Sequence, residues 1–268
     1  MRLIDTHCHF DFDTFDGQRD EVVREAAAAG VTRIINPGTS LERSRAAVDL
    51  AARYPGVYAA VGIHPNSTAD WSDAQLDGVR ELAAQPKVVA IGEIGLDYHW
   101  DNSPKETQWR ALEAQLALAA ELELPVILHN REASDDLLDI LARWTPTLPP
   151  SLRDRPGVLH SFSAPMTAAE RALDLGFMLG FTGPVTFKNA DDLRRIAARV
   201  PDDRIVVETD APFLTPHPYR GRRPNRPAYV RFIAERLAAL RVVSDDTFAD
   251  LSTANAERLF RLPPEQTG

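Results

Sequence analysis

At 268 residues the chain is long enough for one barrel-sized domain, and a 44% hydrophobic, 26% charged composition argues against both disorder and a membrane protein. A net charge of −9 disfavours long-range attraction to a polyanion, so any positive charge for nucleic acid has to be local. The single cysteine, Cys8, excludes an intramolecular disulfide and a thiolate zinc site, which leaves histidine and carboxylate as metal donors.

The first apolar run, 3–6, leads into Thr6-His7-Cys8-His9. Side chains alternate along a strand, so His7 and His9 share one face and Cys8 takes the other. Two imidazoles on one face can share an ion. Further strand-like runs are expected at 33–36, 58–62, 88–92, 126–128, 158–159, 177–180 and 205–208. Between them, apolar residues at spacings of three and four predict helices over 20–29, 41–53, 76–84, 104–122, 133–143, 168–175 and 191–199. The stretch 226–240 reads as an eighth helix, and 245–259 as an extra C-terminal helix closing the base. Strand and helix alternating throughout implies parallel strands with helices outside, and eight such units make an α/β fold of the (β/α)8 TIM-barrel class.

The punctuation fits that register. Gly30, Gly56 and Gly176 follow helices, where a left-handed cap favours glycine, and Ser72 or Asp73 and Thr167 suit helix N-caps. A doubly wound open sheet would share the alternation, but the Gly-rich phosphate fingerprint of such folds is missing after the first strand. A single domain is expected over 1–262, with 263–268 a frayed tail. The apolar-rich stretch 111–128 carries Glu113, Glu121 and Glu123, so it does not read as a membrane span. No targeting segment precedes the first strand, which makes the cytoplasm the expected compartment. No membrane and no obligate protein partner are expected.

Ligand-type residues recur at the strand ends, where barrels place their chemistry. The third strand ends in Ile63-His64-Pro65, the fourth in Gly92-Glu93-Ile94-Gly95. A carboxylate among glycines and isoleucine is expensive to bury unpaired; a cation or a neighbouring basic side chain would compensate it. The fifth strand delivers His129 and Arg131 on one face, the sixth His160, the eighth Asp210. Each histidine alone is more often a hydrogen-bonded core imidazole. Together, His7, His9, Glu93, His129, His160 and Asp210 suffice for two divalent metal ions, with Glu93 placed to bridge them. Imidazole and carboxylate without thiolate suit Zn²⁺, Mg²⁺, Mn²⁺ or Fe²⁺ and do not choose among them. Asp5 and Glu208 lie one layer lower and read as hydrogen-bond supports. Asp97 and His99 either line the site or cap the following helix. Arg220, Arg222, Arg223 and Arg226 fall within seven residues beside Tyr219, a local reversal of charge that suits phosphate contacts and base stacking.

These motifs together resemble the TatD-related DNases, metal-dependent hydrolases of the amidohydrolase superfamily with a distorted (β/α)8 barrel. The resemblance runs from Asp5-Thr6-His7-Cys8-His9 through Gly62-Ile63-His64-Pro65, Gly92-Glu93-Ile94-Gly95-Leu96-Asp97-Tyr98, His129-Asn130-Arg131-Glu132-Ala133 and His160-Ser161-Phe162-Ser163 to Glu208-Thr209-Asp210-Ala211-Pro212. It departs at Ser161 and Ala164, where the family usually has cysteine and glycine, and by an extra residue around 222–224. The resemblance implies one ion held by His7, His9, Glu93 and Asp210, and a second held by Glu93, His129 and His160. It implies a 3′→5′ exonuclease on single-stranded DNA, with RNA or damaged DNA as further substrates. His64 is then expected near the substrate phosphate, with Arg131, Tyr219, Arg220 and Arg222 as the other substrate-binding candidates. Asp210, Glu93 and His64 are the catalytic candidates, Asp210 orienting the attacking water and accepting its proton. The rival reading is a small-molecule amidase, lactonase or phosphotriesterase on the same scaffold.

Overall fold

The computed structural model describes residues 1–263. The expected tail, 263–268, lies outside the described residues apart from Pro263. Eight strands, β1 (Leu3–Asp5), β2 (Val31–Pro37), β3 (Val57–Val61), β4 (Val88–Asp97), β5 (Val126–Arg131), β6 (Gly157–Leu159), β7 (Met178–Phe181) and β8 (Ile205–Val207), pair in sequence order. Every neighbouring pair is parallel. Helices α1 (Arg19–Ala28), α2 (Leu41–Arg53), α3 (Asp73–Ala83), α4 (Lys105–Leu122), α5 (Ser134–Trp144), α6 (Met166–Asp174), α7 (Asp191–Ala197) and α8 (Val230–Arg241) make the crossovers, and α9 (Asp245–Phe260) follows. The (β/α)8 barrel with its additional helix is as the alternation predicts.

Two packed layers follow from the strand period of two. Inside the barrel Ile4, Ile35, Tyr58, Ala60, Ala90, Ile127, Val158, Met178 and Val206 meet, at least one from each strand, and Ala256, Leu259 and Phe260 of α9 plug the base beneath them. Outside, residues such as Leu3, Ile34, Val61, Ile91, Leu128, Leu159, Leu179 and Val207 pack against the helices. At roughly 1.5–3 kcal/mol per large side chain buried, this double core supplies the drive for closure.

The barrel closes irregularly between β8 and β1. The Thr6 backbone N–H and hydroxyl both donate to the Val207 carbonyl, at 3.2 and 3.0 Å. The Asp5 carboxylate accepts from the Thr209 N–H at 2.9 Å and its hydroxyl at 2.6 Å. A parallel bridge joins Cys8 to Ala211. Side chains therefore finish a ladder that backbone pairing leaves short.

Some boundaries differ from the sequence reading. β4 runs on to Asp97 because its continuation pairs with β5, Gly95 opposite His129 and Asp97 opposite Arg131. α3 starts at Asp73 behind a capping box formed by Ser72 and Gln75. Thr167 is not a cap but lies inside α6, whose N-cap is Pro165. Residues 227–229 form a 3-10 turn, so α8 starts at Val230. Gly30 and Gly176 adopt the left-handed caps expected, with φ of +86° and +87°. Gly56 serves a close approach instead, since a Cβ there would lie 2.6 Å from the Thr32 carbonyl oxygen.

Candidate metal centre

The six ligand candidates converge at the C-terminal mouth of the barrel. Three keep the simple alternation: Ile127 and His129, Val158 and His160, Val206 and Asp210 continue one inward face. His7, His9 and Glu93 reach the mouth only because the alternation breaks. Ile4 faces the inner core but Cys8 the outer one, so parity switches between them as β1 ends. Likewise Ile91 and Ile94 both face outward, and the register shift between them turns Glu93 inward.

Around the first group, His7 Nε2 and His9 Nε2 lie 3.3 Å apart. Glu93 Oε2 is 3.4 and 3.6 Å from them, and Asp210 Oδ1 is 3.7 and 3.4 Å away. Four donors about 2.0–2.1 Å from a common tetrahedral ion would stand roughly 3.3–3.4 Å apart, so the spacing suits a shared cation. Around the second, Glu93 Oε1 is 2.8 Å from His160 Nε2, 3.0 Å from His129 Nδ1 and 3.5 Å from His64 Nε2. His129 Nδ1 and His160 Nε2 are 3.3 Å apart. Glu93 thus sends one oxygen to each histidine set. Candidate ligand groups of three are His7, His9 and Glu93; His7, His160 and Asp210; and His64, Glu93 and His129.

His64 is distinguished from the other histidines by its other nitrogen. Its Nδ1 accepts the Asn66 N–H at 3.1 Å, so a neutral ring carries its proton on Nε2, the atom that faces Glu93. A nitrogen bearing a proton has no lone pair for a cation. Burial also pushes the His64 pKa down, keeping the ring neutral. His64 is therefore an Nε2–H donor in the mouth. His129 is the reverse: Nε2 faces Asp97 Oδ2 at 3.0 Å, which leaves Nδ1 free to ligate.

The electrostatics follow from burial and crowding. Burial and the facing His160 ring, stacked at 3.9 Å, lower His7 to about 4. Burial opposes charge on His9 as well, but Asp210 and Glu93 outweigh it and raise the pKa to about 9. For His129, burial is likewise overcome, by Asp97 and Glu93, and the pKa rises to about 9. Burial works against ionised Glu93, yet His160, His64, His7 and His129 hold its pKa well below the carboxylate range. Asp210 is lowered in the same way by His9 and His7 against burial. So much buried charge of one sign facing imidazoles is a donor set suited to divalent cations.

Below this layer, Glu208 accepts from the Ser161 N–H and from Thr6 Oγ1. Asp5 accepts from the backbone N–H of His7 at 3.3 Å besides its bonds to Thr209. Asp210 itself sits at φ +54°, its N–H donating to the His7 carbonyl at 2.8 Å. Buried Asn225 ties the following loop, donating to the Thr209 and Phe213 carbonyls at 2.9 and 2.6 Å. Asp97 lines the site and does not cap the following helix, whose N-cap is Pro104: besides His129 it accepts from Asn66 Nδ2 and from the loop N–H groups of His99 and Trp100. Asn66 and Asn225 were missed by sequence reasoning; Pro65-Asn66 after His64 was the available signal for the first.

The basic loop stands apart from the histidine cluster in its packing. Tyr219 stacks on Tyr229 with centroids 4.7 Å apart, and Arg222 lies 5.2 Å over Tyr219. Arg220 lies 4.1 Å over Phe187. Arg226 pairs with Glu25 at 2.7 Å, whereas among the described residues Arg220, Arg222 and Arg223 have no carboxylate partner and are exposed.

A profile of the TatD related DNase family matches residues 4–261. The chain is 41% identical over 260 residues to the metal-dependent hydrolase YabD of Bacillus subtilis, covering 97% of this chain and 99% of that one. It is 38% identical over 252 residues to the 3′-5′ ssDNA/RNA exonuclease TatD of Salmonella typhimurium, covering 92% and 95%. The crystal structure of YjjV, a TatD homolog from Escherichia coli K12, superposes with a TM-score of 0.90 at 38% identity, covering 98% of this chain and 99% of that one. Among the described residues, no helix is long and apolar enough to cross a membrane.

Proposed function

The chain belongs to the TatD related DNase family and is a metal-dependent hydrolase, and from that premise we propose that it removes nucleotides from the 3′ end of single-stranded nucleic acid. The relative named a 3′-5′ ssDNA/RNA exonuclease supports this class of substrate. The observation that carries the reading is Glu93, whose two carboxylate oxygens divide between His7 and His9 on one side and His129 and His160 on the other. That division suits two divalent cations flanking one phosphodiester.

When bound, such cations polarise a phosphoryl oxygen and bring the acidity of water near neutral pH. His7, His9, Glu93 and Asp210 would hold one, and Glu93, His129 and His160 the other. Asp210 orients the attacking water and takes its proton as the new P–O bond forms; the P–O3′ bond breaks, O3′ takes up a proton from solvent to become the new 3′-hydroxyl, and a 5′-mononucleotide leaves. His64 donates its Nε2–H to a non-bridging oxygen, which requires only the neutral ring. Arg131, exposed at the end of β5 two residues beyond His129, would supply a positive charge to the substrate phosphates. Tyr219, Arg220 and Arg222 serve the strand farther from the reacting centre, where outward-facing guanidinium groups meet successive phosphates.

A metal-supplemented digest of single strands labelled at either end tests the reading. Immediate release of labelled mononucleotide from the 3′-labelled strand and a descending ladder from the 5′-labelled one are expected, both abolished by EDTA and restored by metal. Intact oligonucleotides alongside hydrolysis of a small chromogenic ester would overturn it.

A further inference from the structure

Few large apolar side chains are exposed among the described residues: Trp100 at 52%, Trp109 at 38%, Phe213 at 43%, Val242 at 90% and Val243 at 42%. The valines lie in the turn between α8 and α9, and Trp109 donates its indole N–H to the Tyr98 hydroxyl at 2.6 Å. Of the remaining two rings, Phe213 meets His9 of the histidine cluster, and Trp100 is linked to the cluster through Asp97, which meets His129.

Phe213 stands three residues beyond Asp210. Its ring meets His9 at 6.2 Å with an interplanar angle of 71° and Phe12 at 5.9 Å with 86°. Its N–H donates to the Asp210 carbonyl at 2.8 Å, and its carbonyl accepts from Asn225. Trp100 stands on the loop after β4. Its N–H donates to Asp97 Oδ1 at 3.2 Å, and the other oxygen of that carboxylate meets His129. The indole meets His99 at 87°, and the Arg131 guanidinium lies 5.6 Å from its centroid. Among the described residues Arg131 has no ion-pair partner. Strand order places the β8–β1 seam, which carries Phe213, across the barrel from the β4–β5 pair, which carries Trp100.

Among the described residues neither ring has a stacked aromatic partner, the ring contacts of both being edge-on; the Arg131 guanidinium lies over one face of Trp100 and leaves the other for a base. Each is exposed, and the backbone of each is tied by its N–H to a residue at the site, Asp210 for Phe213 and Asp97 for Trp100. A flat, exposed ring anchored through its backbone beside a phosphodiester site has the properties of a base-stacking platform. We propose that Phe213 and Trp100 receive the nucleobases on either side of the scissile phosphodiester, with Arg131 neutralising the phosphate next to Trp100. The inference rests on the nuclease reading above. It makes the substrate a strand whose last bases are unpaired, because a base held in a duplex cannot lie flat on either ring.

The test compares Phe213→Ala, Trp100→Ala, Phe213→Trp and Trp100→Phe with the wild type. The substrates are one single-stranded oligonucleotide and its counterparts with an abasic analogue at the terminal or the penultimate position. Each alanine variant is expected to raise KM on the normal strand by about 10- to 100-fold with kcat within about twofold. The aromatic exchanges are expected to keep wild-type KM. On the counterpart lacking the matching base, wild type and alanine variant should differ by less than about twofold. Equal losses on normal and abasic strands, a loss confined to kcat, or no loss would overturn the stacking assignment while leaving a working nuclease. If wild-type protein cleaves none of the strands, the nuclease reading falls and the platforms fall with it.

Discussion

Replacing Asn225 by aspartate isolates what a single buried amide does for the loop that carries Asp210. The side chain is fully buried, and its Nδ2 is the donor to both the Thr209 and the Phe213 carbonyls. Aspartate has the same shape but, when ionised, no donor. Two carbonyl oxygens then lose their partner, at about 1–3 kcal/mol each, and face a buried carboxylate. A loss of about 3–5 kcal/mol is expected, against about 2–4 kcal/mol for Asn225→Ala, which orphans the carbonyls without adding charge. At roughly 2–4 °C per kcal/mol for a chain of this size, the aspartate variant should melt about 6–20 °C lower. Urea unfolding followed by circular dichroism, with EDTA present so that bound metal does not mask the difference, measures this directly. The carboxyl introduced has a folded pKa raised above its unfolded value, so its penalty is largest at neutral pH and shrinks as pH falls through the folded pKa and the group becomes a donor. An aspartate variant within about 1 kcal/mol of wild type, or a deficit that does not shrink in acid, would refute this account of the loop.

Further outcomes follow from the same geometry. Asp210→Asn should keep the melting temperature within a few degrees and lower kcat by at least about 100-fold; near-normal turnover would exclude Asp210 as the proton acceptor. Asp97→Asn removes the anion that orients His129 and should weaken metal affinity by about 10- to 100-fold in a chelator competition. His9 and His129 are both raised to about 9, so near pH 7.5 each carries a proton that a cation must displace. Metal binding should release protons and tighten as pH rises towards 9, and calorimetric enthalpies that do not vary with buffer ionisation would contradict this. Gly95 has φ +146°, and a Cβ there would lie 2.0 Å from the His129 carbonyl oxygen. Gly95→Ala should therefore cost about 3 kcal/mol or more, read by the same urea titration.

How far the chain could be read in advance depended on whether information was local. The barrel was legible because its periodicities are local, and α2 was bounded correctly from spacing alone. His129, His160 and Asp210 were legible as a set because each continues the inward face of its own strand. The route taken by His7 and Glu93 was not, because both depend on breaks in alternation that only neighbouring strands impose. Asp97 was ambiguous for a similar reason: its partner His129 lies across the β4–β5 register. The basic loop shows the opposite limit. Composition marked its charge, but whether a guanidinium stacks on Phe187, pairs with Glu25 or faces outward is decided by chain segments far away in sequence.

The seam between β8 and β1 has a consequence for the life of the molecule before it is complete. The hydrogen bonds that close it join residues more than 200 positions apart, and the same seam brings His7 and His9 to Asp210. A chain emerging from a ribosome exposes His7 and His9 long before Asp210, the last of the six candidate ligands, has been added. A chain interrupted before Asp210 therefore holds an incomplete set of ligands. Hydrolytic power arrives together with the finished barrel.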